Sequence, residues 1–310
     1  LARGLLMSSN SFPFPHRSPM RLTFTFGILV LGIFAIIPAV GVLVLSFTDI
    51  RGLPYLPVHW IGLQNYQAFF SAAHFDYNLN AIKNTLVYAI VSTVVQIGLA
   101  LVIAVLFNQK LRGRTVYRAI VFMPTVLGVT VIGLIFSLIF NPNAGPAATI
   151  WGWFGSSPAF FGDQHMALGL VIFVQIWSSL GISIVIFLAG LQGIPTDLYE
   201  SADIDGASPW QKLRLVTVPM LAPSITATVL LGIVSSLQSY QLAYVLTGPN
   251  NSATQLLSLA IFSQGFGGSS ASGTSQSQGY ASSISIVQFV IVGAISLAVL
   301  YYLRKREAKL

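Results

Sequence analysis

Residues 22–47 read LTFTFGILVLGIFAIIPAVGVLVLSF and carry no charged side chain over 26 positions. A helix needs about 20 apolar residues to cross the hydrocarbon core of a bilayer. The apolar core of a cleaved signal peptide is shorter, about 7–15 residues. The stretch therefore predicts a helix that stays in the membrane, and this decides the fold class.

Five further segments of at least 20 residues also lack Asp, Glu, Lys and Arg. They are continuous apolar runs rather than the alternating segments of barrel strands, which favours helices. Only 7% of the chain is charged, against about 25% in soluble domains. The sequence predicts an all-α integral membrane protein with six transmembrane helices. The predicted spans are 22–47, 84–107, 119–140, 166–189, 219–246 and 284–303.

The basic residues alternate between connections. Of the 15 Lys and Arg residues, 13 lie in the N-terminal segment, the second and fourth connections, and the C-terminal tail; Arg51 and Lys83 lie on the other side. Because Lys and Arg concentrate in cytoplasmic loops, both termini are predicted to be cytoplasmic. Residues 1–21 and 304–310 then form cytoplasmic tails of a transmembrane domain at 22–303. The net charge of +7 follows from this pattern and gives no reason to expect nucleic acid binding.

The outer connections are predicted at 48–83, 141–165 and 247–283. The second contains Pro142 and Gly145 and is expected to include an interfacial turn of helix. The third is uncharged and contains a Gly/Ser-rich run at 265–279, a composition typical of a flexible loop.

Residues for catalysis or metal binding are missing from the pattern. The chain has no Cys, and its four His residues lie in the tail or the outer loops without ligand spacing. Since no Lys follows a Gly, a phosphate-binding Gly-Lys-Ser/Thr loop is excluded. The predicted spans also lack the ionisable groups of proton- and ion-coupled carriers. We expect a chain that is not an enzyme and binds no cofactor itself.

Neutral polar residues nevertheless recur within the spans. Gln175, Ser178 and Ser179 have i, i+3, i+4 spacing and therefore share one helical face. For any single residue, hydrogen bonding between helices is the favoured interpretation. Together, the polar residues of four spans also fit a path for a neutral, hydroxyl-rich solute. The candidate pathway residues are Gln175, Ser178, Ser179, Ser235, Gln238, Ser239 and Gln288.

The fourth connection is the most distinctive segment. Residues 194–223 read IPTDLYESADIDGASPWQKLRLVTVPMLAP and contain four of the eight acidic residues. Thr196 or Asp197 is predicted to cap a first helix, because Asp197 and Glu200 have capping-box spacing. Ser208 is predicted to cap a second one, which begins with Pro209.

Gly206 is predicted to form a sharp turn between these two helices, since glycine adopts positive φ at no steric cost. Pro219 and Pro223 predict a bend at the entry to the fifth span. Two capped helices exceed what a simple return loop needs, which favours a docking surface for a cytoplasmic partner. A solvated amphipathic loop is the alternative.

The spacing Glu200-x-Ala202-x-x-Asp205-Gly206-Ala207, followed by Pro219 and Pro223, resembles the Glu-Ala-Ala loop of ABC-importer permease subunits. The similarity is closest to the carbohydrate branch, the binding-protein-dependent maltose- and glycerol-phosphate-type permeases. The departures are Ser201 where the family usually has Ala, and Leu213 where it often has Phe. Further similar stretches are residues 46–49, 61–66, 84–86, 113–118, 123–124, 244–249 and 279–281.

This resemblance implies a type I ABC-importer permease fold in the cytoplasmic (inner) membrane of a prokaryote. It implies half of a translocation pore, formed as a heterodimer with a second permease subunit. The other implied partners are two cytoplasmic ATPase subunits, which bind the ATP and Mg, an extracytoplasmic sugar-binding protein, and membrane lipid. Residues 194–217 would be the loop that couples to the ATPase. The coupling residues implied are Glu200, Ala202, Asp205, Gly206, Ala207, Pro219 and Pro223.

Two other functions stay open. One is an ABC-importer permease for another solute, such as glycerol phosphate or an amino acid. A phosphorylated solute would favour a basic residue in the pathway, which the spans of this chain lack. The other is a self-contained membrane enzyme or secondary carrier, which would work without partner subunits.

Overall fold

The computed structural model describes residues 17–52, 56–109, 112–267 and 277–307. Parts of five predicted segments fall outside these ranges: residues 1–16 of the N-terminal tail, 53–55 of the first outer connection, 110–111 of the second connection, 268–276 of the Gly/Ser-rich run, and 308–310 of the C-terminal tail. The chain divides into two compact units, residues 1–44 and 45–310.

The first unit holds a helix with a π turn. The helix Arg17–Leu31 passes through the π turn Gly32–Ile36 into the helix Ile37–Leu45. Pro38 has no backbone N–H for the carbonyl four residues earlier. The wider π turn ends two residues before this proline, and the N–H of Ile37 donates to the carbonyl of Gly32. The apolar part of this helix, Phe24–Leu45, is the first candidate span.

The second unit contains three continuous helices long enough to cross a membrane. They are Ala72–Asn108, Ala167–Gln192 and Gln278–Glu307, which we call the second, fourth and sixth spans. Two bent pairs complete the pattern: Arg114–Val126 with Val129–Ile139, at 101°, and Pro209–Met220 with Ala222–Leu237, at 68°. The described residues thus give four continuous candidate spans, or six when each bent pair is counted as one. The all-α membrane fold class is confirmed.

The third and fifth spans differ from the continuous segments predicted at 119–140 and 219–246. In the third, the backbone is extended at Leu127 and Gly128, with ψ values of 138° and 146°. In the fifth, the helix ends at Leu237 and a short helix, Gln241–Thr247, follows. Apolar length alone predicts neither interruption, because the residues at both sites remain free of charge.

The second and sixth spans begin earlier than predicted. The second span starts at Ala72 rather than at residue 84 and has 37 residues, about 55 Å at 1.5 Å per residue. This exceeds the hydrocarbon core, about 30 Å thick, so its first turns extend beyond the core. The sixth span starts at Gln278 rather than at residue 284.

Polar contacts between the spans show in which direction each span runs relative to its neighbours. Gln96 reaches Ser183 just as Tyr88 reaches Gln175, so the second and fourth spans run parallel. Thr93 and Tyr88 meet Ser236 and Ser239 of the fifth-span segment in reverse order, which makes that segment antiparallel to the second span. The ends near Asn108, Gln192 and Met220 therefore share one end of the bundle, which we call the basic end.

Short helices occupy the connections that were predicted to be outer. The predicted helical turn in 141–165 is present as Pro146–Gly152. The predicted connection 247–283 contains the helix Leu257–Phe266, which the sequence analysis did not predict. Leu257 and Leu259 are fully buried there. Leu257 packs with Phe69 and Ile284, which fixes the segment between other elements of the fold.

Candidate functional site

The fourth connection folds into two helices that meet at Gly206. The first is Thr196–Ile204, and the second runs from Pro209 to Met220 with a π turn at Leu213–Thr217. Gly206 has φ of +73°, and its N–H donates to the carbonyl of Asp203 at 3.1 Å. The predicted glycine turn is confirmed.

The two predicted helix starts have different outcomes. Ser208 forms the predicted capping box: its Oγ accepts from the N–H of Gln211, and its own N–H donates to Oε1 of Gln211. At the first helix, the N-cap is Pro195, and no side chain caps it. Capping by Thr196 or Asp197 was therefore wrong, because the helix starts one residue earlier than that role requires.

The two helices are tied to each other and to the fifth span. Lys212 Nζ donates to Oδ1 of Asp203 across the turn. Tyr199 and Thr217 hydroxyls lie 3.0 Å apart, and Thr217 is buried at the π turn. The connection is thus anchored at its turn and at its base, so the pair can move as one body with the start of the fifth span.

The tip of this helix pair exposes both acidic and apolar side chains. Glu200 and Asp205 are exposed, while Ala202 and Ala207 are half-buried beneath them. Ile204 is 88% exposed and Trp210 68%. Apolar side chains this exposed, beside carboxylates, are typical of a docking surface. We call Glu200, Ile204, Asp205 and Trp210 the tip surface.

Sequence reasoning missed Ile204 and Trp210. The available signal was their position: both are large apolar residues within a segment that the capping and turn residues had already placed outside the membrane. The predicted bend at Pro219 and Pro223 is present, since the helices on either side of Leu221 meet at 68°.

A second polar site surrounds the interruption of the fifth span between Leu237 and Gln241, which we call the helix break. In a continuous helix the carbonyl of Leu237 would accept from the N–H of residue 241. Here it accepts instead from Nε2 of Gln288 at 3.0 Å and from Oγ of Ser258 at 3.4 Å. These side chains satisfy the carbonyl that the break would otherwise leave without a partner.

Tyr88 connects the predicted polar faces of the fourth and fifth spans. Its hydroxyl donates to Oε1 of Gln175 at 3.0 Å and lies 3.2 Å from Oγ of Ser239. The Tyr88 side chain is fully buried. The sequence analysis did not select Tyr88, because an aromatic residue in an apolar span is expected to pack in the core. The available signal was a phenolic hydroxyl, which needs a partner when it is buried.

Ser178 and Ser179 of the fourth span have different hydrogen-bond partners. Ser179 Oγ donates to Oε1 of Gln96 at 2.9 Å, and Ser178 Oγ donates to the carbonyl of Gln175. The structure thus gives Ser178 and Ser179 hydrogen bonds to neighbouring helices or to their own backbone.

The other candidate pathway residues separate by exposure. Gln288 is buried at the helix break, whereas Ser235 and Gln238 are exposed beside it. Gln241, at the far side of the break, is also exposed. The break therefore presents a small set of uncharged hydrogen-bonding groups on the accessible side and keeps Gln288 behind it.

The first outer connection contains a separate polar clasp. The backbone N–H of His59 donates to Oδ1 of Asp49, and Nδ1 of His59 lies 3.0 Å from Oδ2. The backbone hydrogen bond, followed by the side-chain one, lowers the pKa of the Asp49 carboxyl from its ordinary 3.8. Because the pKa of Asp49 is lower in the folded chain, the stabilisation by the clasp is fully present above pH 3.8. It is lost as the pH falls through the lowered pKa.

Metal ligation receives no support from the part of the chain that the structure describes. Within it, no three or more His, Asp or Glu side chains come together as a group that could hold an ion.

The chain belongs to the family described as the binding-protein-dependent transport system inner membrane component, whose model matches residues 96–309. It is accordingly a multi-pass protein of a prokaryotic membrane and a transport component rather than an enzyme. The family's description also makes a binding protein its partner.

Several relatives are named as permeases. The multiple sugar-binding transport system permease protein MsmF of Streptococcus mutans is 33% identical over 84% of this chain and 87% of its own length. The arabinooligosaccharides permease AraP of Bacillus subtilis is 30% identical over 95% and 89%. The trehalose/maltose permease MalF of Thermococcus litoralis is 31% identical over 87% of each chain.

Solved structures share the fold. A chain of a bacterial ABC transporter involved in import of the acidic polysaccharide alginate superposes with a TM-score of 0.79 at 22% identity, covering 93% of this chain and 96% of that one. A chain of the alginate transporter in complex with its pentasaccharide-bound periplasmic protein gives 0.74 at 20% identity, covering 93% of each. This likeness supports the type I importer permease fold predicted from the sequence.

Proposed function

We propose that the chain is a permease subunit of an ATP-driven sugar importer and forms half of its translocation pore. A second, non-identical permease would complete the pore, and two cytoplasmic ATPase subunits would bind the ATP and Mg. The observation that carries the proposal is the tip surface of the fourth connection. Its carboxylates and apolar side chains are exposed, and its base is anchored to the fifth span.

The contacts at the base of the fourth connection would couple the ATPase subunits to the fifth span. The helix Pro209–Met220 leads from the tip surface into the bend before Ala222–Leu237. The ion pair between Lys212 and Asp203 holds the first helix against it. When the ATPase pair closes, movement of the docked tip reaches the fifth span through this helix. The bundle then switches between two packed arrangements, one open to each side of the membrane.

The helix break is the proposed path of the solute. Interrupted membrane helices recur at the substrate sites of transporters, because unwound backbone is tolerated only where it is buried or lines a cavity. Ser235, Gln238 and Gln241 offer exposed uncharged donors and acceptors there, which suit sugar hydroxyls. The sugar class itself rests on what the relatives are named for.

An ABC-importer permease for glycerol phosphate or an amino acid is the second candidate. It would need the paired permease to supply the charged group that the spans of this chain lack. Uptake assays with a neutral disaccharide and with glycerol phosphate, in the assembled transporter, separate the two candidates.

The coupling proposal is tested with two substitutions in the tip. Gly206→Pro replaces a residue at φ +73° with one fixed near −65°, which breaks the turn. Glu200→Lys reverses an exposed charge without disturbing a hydrogen bond that the structure shows. Both variants should insert normally into the membrane, yet lose most ATP-driven uptake and retain less ATPase on co-purification.

Asp76→Lys is the matched control for Glu200→Lys, because Asp76 is also exposed but lies at the other end of the second span. It should leave the amount of co-purified ATPase unchanged. If both tip variants held the ATPase and transported as well as the wild type, the fourth connection would not be the coupling element.

A further inference from the structure

An apolar groove with a cation at one end lies between the third and fourth spans. It encloses about 440 Å³ and is bounded by the helix Arg114–Phe122, the end of the second span at Phe107, and the fourth span. Along the fourth span its lining extends from Gly181 to Gln192, about 16 Å of helix. The groove is therefore long as well as apolar.

Arg118 is the cation in this lining. Its Nη2 donates to the carbonyl of Phe107 at 3.0 Å, which satisfies one carbonyl at the end of the second span. Its Nε is buried and has no hydrogen-bond partner among the described residues. A guanidinium has five N–H donors, and leaving a buried donor unpaired is costly. Because the protein covers Nε, the capacity for an anionic acceptor lies with the Nη atoms, which make one hydrogen bond among the described residues.

The walls beyond Arg118 suit a hydrocarbon chain. They include Ile184, Val185 and Leu188 of the fourth span and Val121 and Phe122 opposite. Val185 is 50% exposed and Phe122 41%, so the groove opens along its length. Contact between water and these apolar walls is unfavourable, whereas an acyl chain in the groove would remove them from water.

The location fits the headgroup region of the membrane. Phe107 and Gln192 lie at the last turns of two spans, at the basic end of the bundle. Arg112 and Arg114 are exposed nearby but do not line the groove. Anionic headgroups attract basic residues next to membrane spans.

We propose that this groove binds an anionic phospholipid, with the headgroup phosphate at Arg118 and one acyl chain along the fourth span toward Gly181. The charge selects the headgroup, and the apolar length selects a lipid over a free phosphate or a sugar. We call this site the Arg118 groove. Because it packs the third span against the fourth, an occupying lipid would also bias how these two spans move.

The test uses the full chain purified with whatever subunits accompany it. The protein is exchanged into mixed micelles of phosphatidylglycerol and phosphatidylcholine, and the retained lipids are counted by native mass spectrometry. Arg118→Gln should reduce retained phosphatidylglycerol about fivefold, the loss of one headgroup interaction, and leave phosphatidylcholine unchanged. Arg114→Gln is the control, since Arg114 is exposed on the same helix and does not line the groove.

A second variant tests the predicted position of the acyl chain. It also keeps the proposal testable if Arg118→Gln fails to fold. Ala189 lines the groove and is exposed, so Ala189→Trp should fill the groove from its open side and lower phosphatidylglycerol retention while Arg118 stays in place. Equal losses with Arg114→Gln and Arg118→Gln would mean general surface attraction and would overturn the site. Displacement of the lipid by inorganic phosphate alone would also overturn it.

A protein occupant is tested separately. Because the chain has no Cys, Val185→Cys places a single thiol at the open side of the groove. Cross-linking of this thiol to a photoactivatable phospholipid supports the proposal. Cross-linking to another protein subunit in the assembled complex would refute it.

Discussion

The hydrogen bonds of Gln288 make it the residue on which the helix break most depends. Its Nε2 donates to the carbonyl of Leu237 and, at 2.7 Å, to Oγ of Ser258, while the side chain is buried. Gln288→Leu keeps the bulk but leaves the carbonyl at the break short of a donor. We expect a loss of about 1–2 kcal/mol in the free energy of unfolding, the range of such hydrogen bonds in membranes, measured by denaturation in mixed micelles.

Ser235→Ala provides the matched control. Ser235 is exposed, and its hydroxyl donates only to the carbonyl of Gly232 in its own helix among the contacts described. Its removal should change stability by less than about 0.5 kcal/mol, although it removes a proposed sugar contact. Equal destabilisation by the two variants would contradict the supporting role of Gln288.

These two residues show how far sequence reasoning reaches at this scale. Helical spacing correctly groups Gln175 with Ser178 and Ser179 on one face, because the period of a helix is fixed. It does not give the rotation of that helix against its neighbours. The partners Tyr88 and Gln96, and the burial of Gln288 beside the exposed Ser235, depend on that rotation and emerge only from packing.

At the scale of elements, two prolines occupy equivalent places. Each π turn, Gly32–Ile36 and Leu213–Thr217, ends two residues before a proline, Pro38 and Pro219. A proline removes a backbone donor and its ring crowds the preceding turn, and a π turn is one way for a helix to accommodate this. The sequence predicts a bend at such a site. The choice of a π turn and the 68° angle depend on what the helix packs against.

The start of the sixth span depends on close backbone contact at Gly279. Its N–H donates to the carbonyl of Ile50 at 3.0 Å, and a Cβ at this position would overlap the carbonyl oxygen of Thr48. Gly279→Ala should therefore separate the sixth span from the first outer connection. We expect a destabilisation of about 1–3 kcal/mol, as for other overpacked sites, with faster proteolysis of residues 48–60.

Gly293→Ala tests whether helix propensity dominates instead. Gly293 lies on the same helix, and nothing occupies the space within 4 Å of its Cβ position. There the substitution should stabilise slightly, because alanine favours helix over glycine by about 1 kcal/mol. A stabilising effect at both positions would mean that the close contact at Gly279 does not contribute to stability.

At the scale of the whole molecule, the charged side chains are distributed unevenly along the chain. The predicted spans hold no Asp, Glu, Lys, Arg or His, whereas the fourth connection holds four of the eight acidic residues. Composition alone was enough to predict this division. Of the six predicted spans, four are continuous helices and two are bent pairs among the described residues. The interruptions at Leu127–Gly128 and at the helix break were not predicted from the sequence. At the helix break, uncharged polar groups of distant segments supply the hydrogen bonds that a continuous helix would make itself.

This distribution makes a prediction about the energy source. A carrier driven by a proton gradient places ionisable groups within the membrane, and the spans of this chain have none. In proteoliposomes containing the assembled transporter and its binding protein, sugar uptake should require ATP on the side of the ATPase subunits. A protonophore, added at constant ATP, should leave the initial uptake rate unchanged. Reconstitution of this chain without ATPase subunits is the control and should give no accumulation. Accumulation by the chain alone, or loss of uptake on collapse of the proton gradient, would identify a self-sufficient carrier and overturn the proposed function.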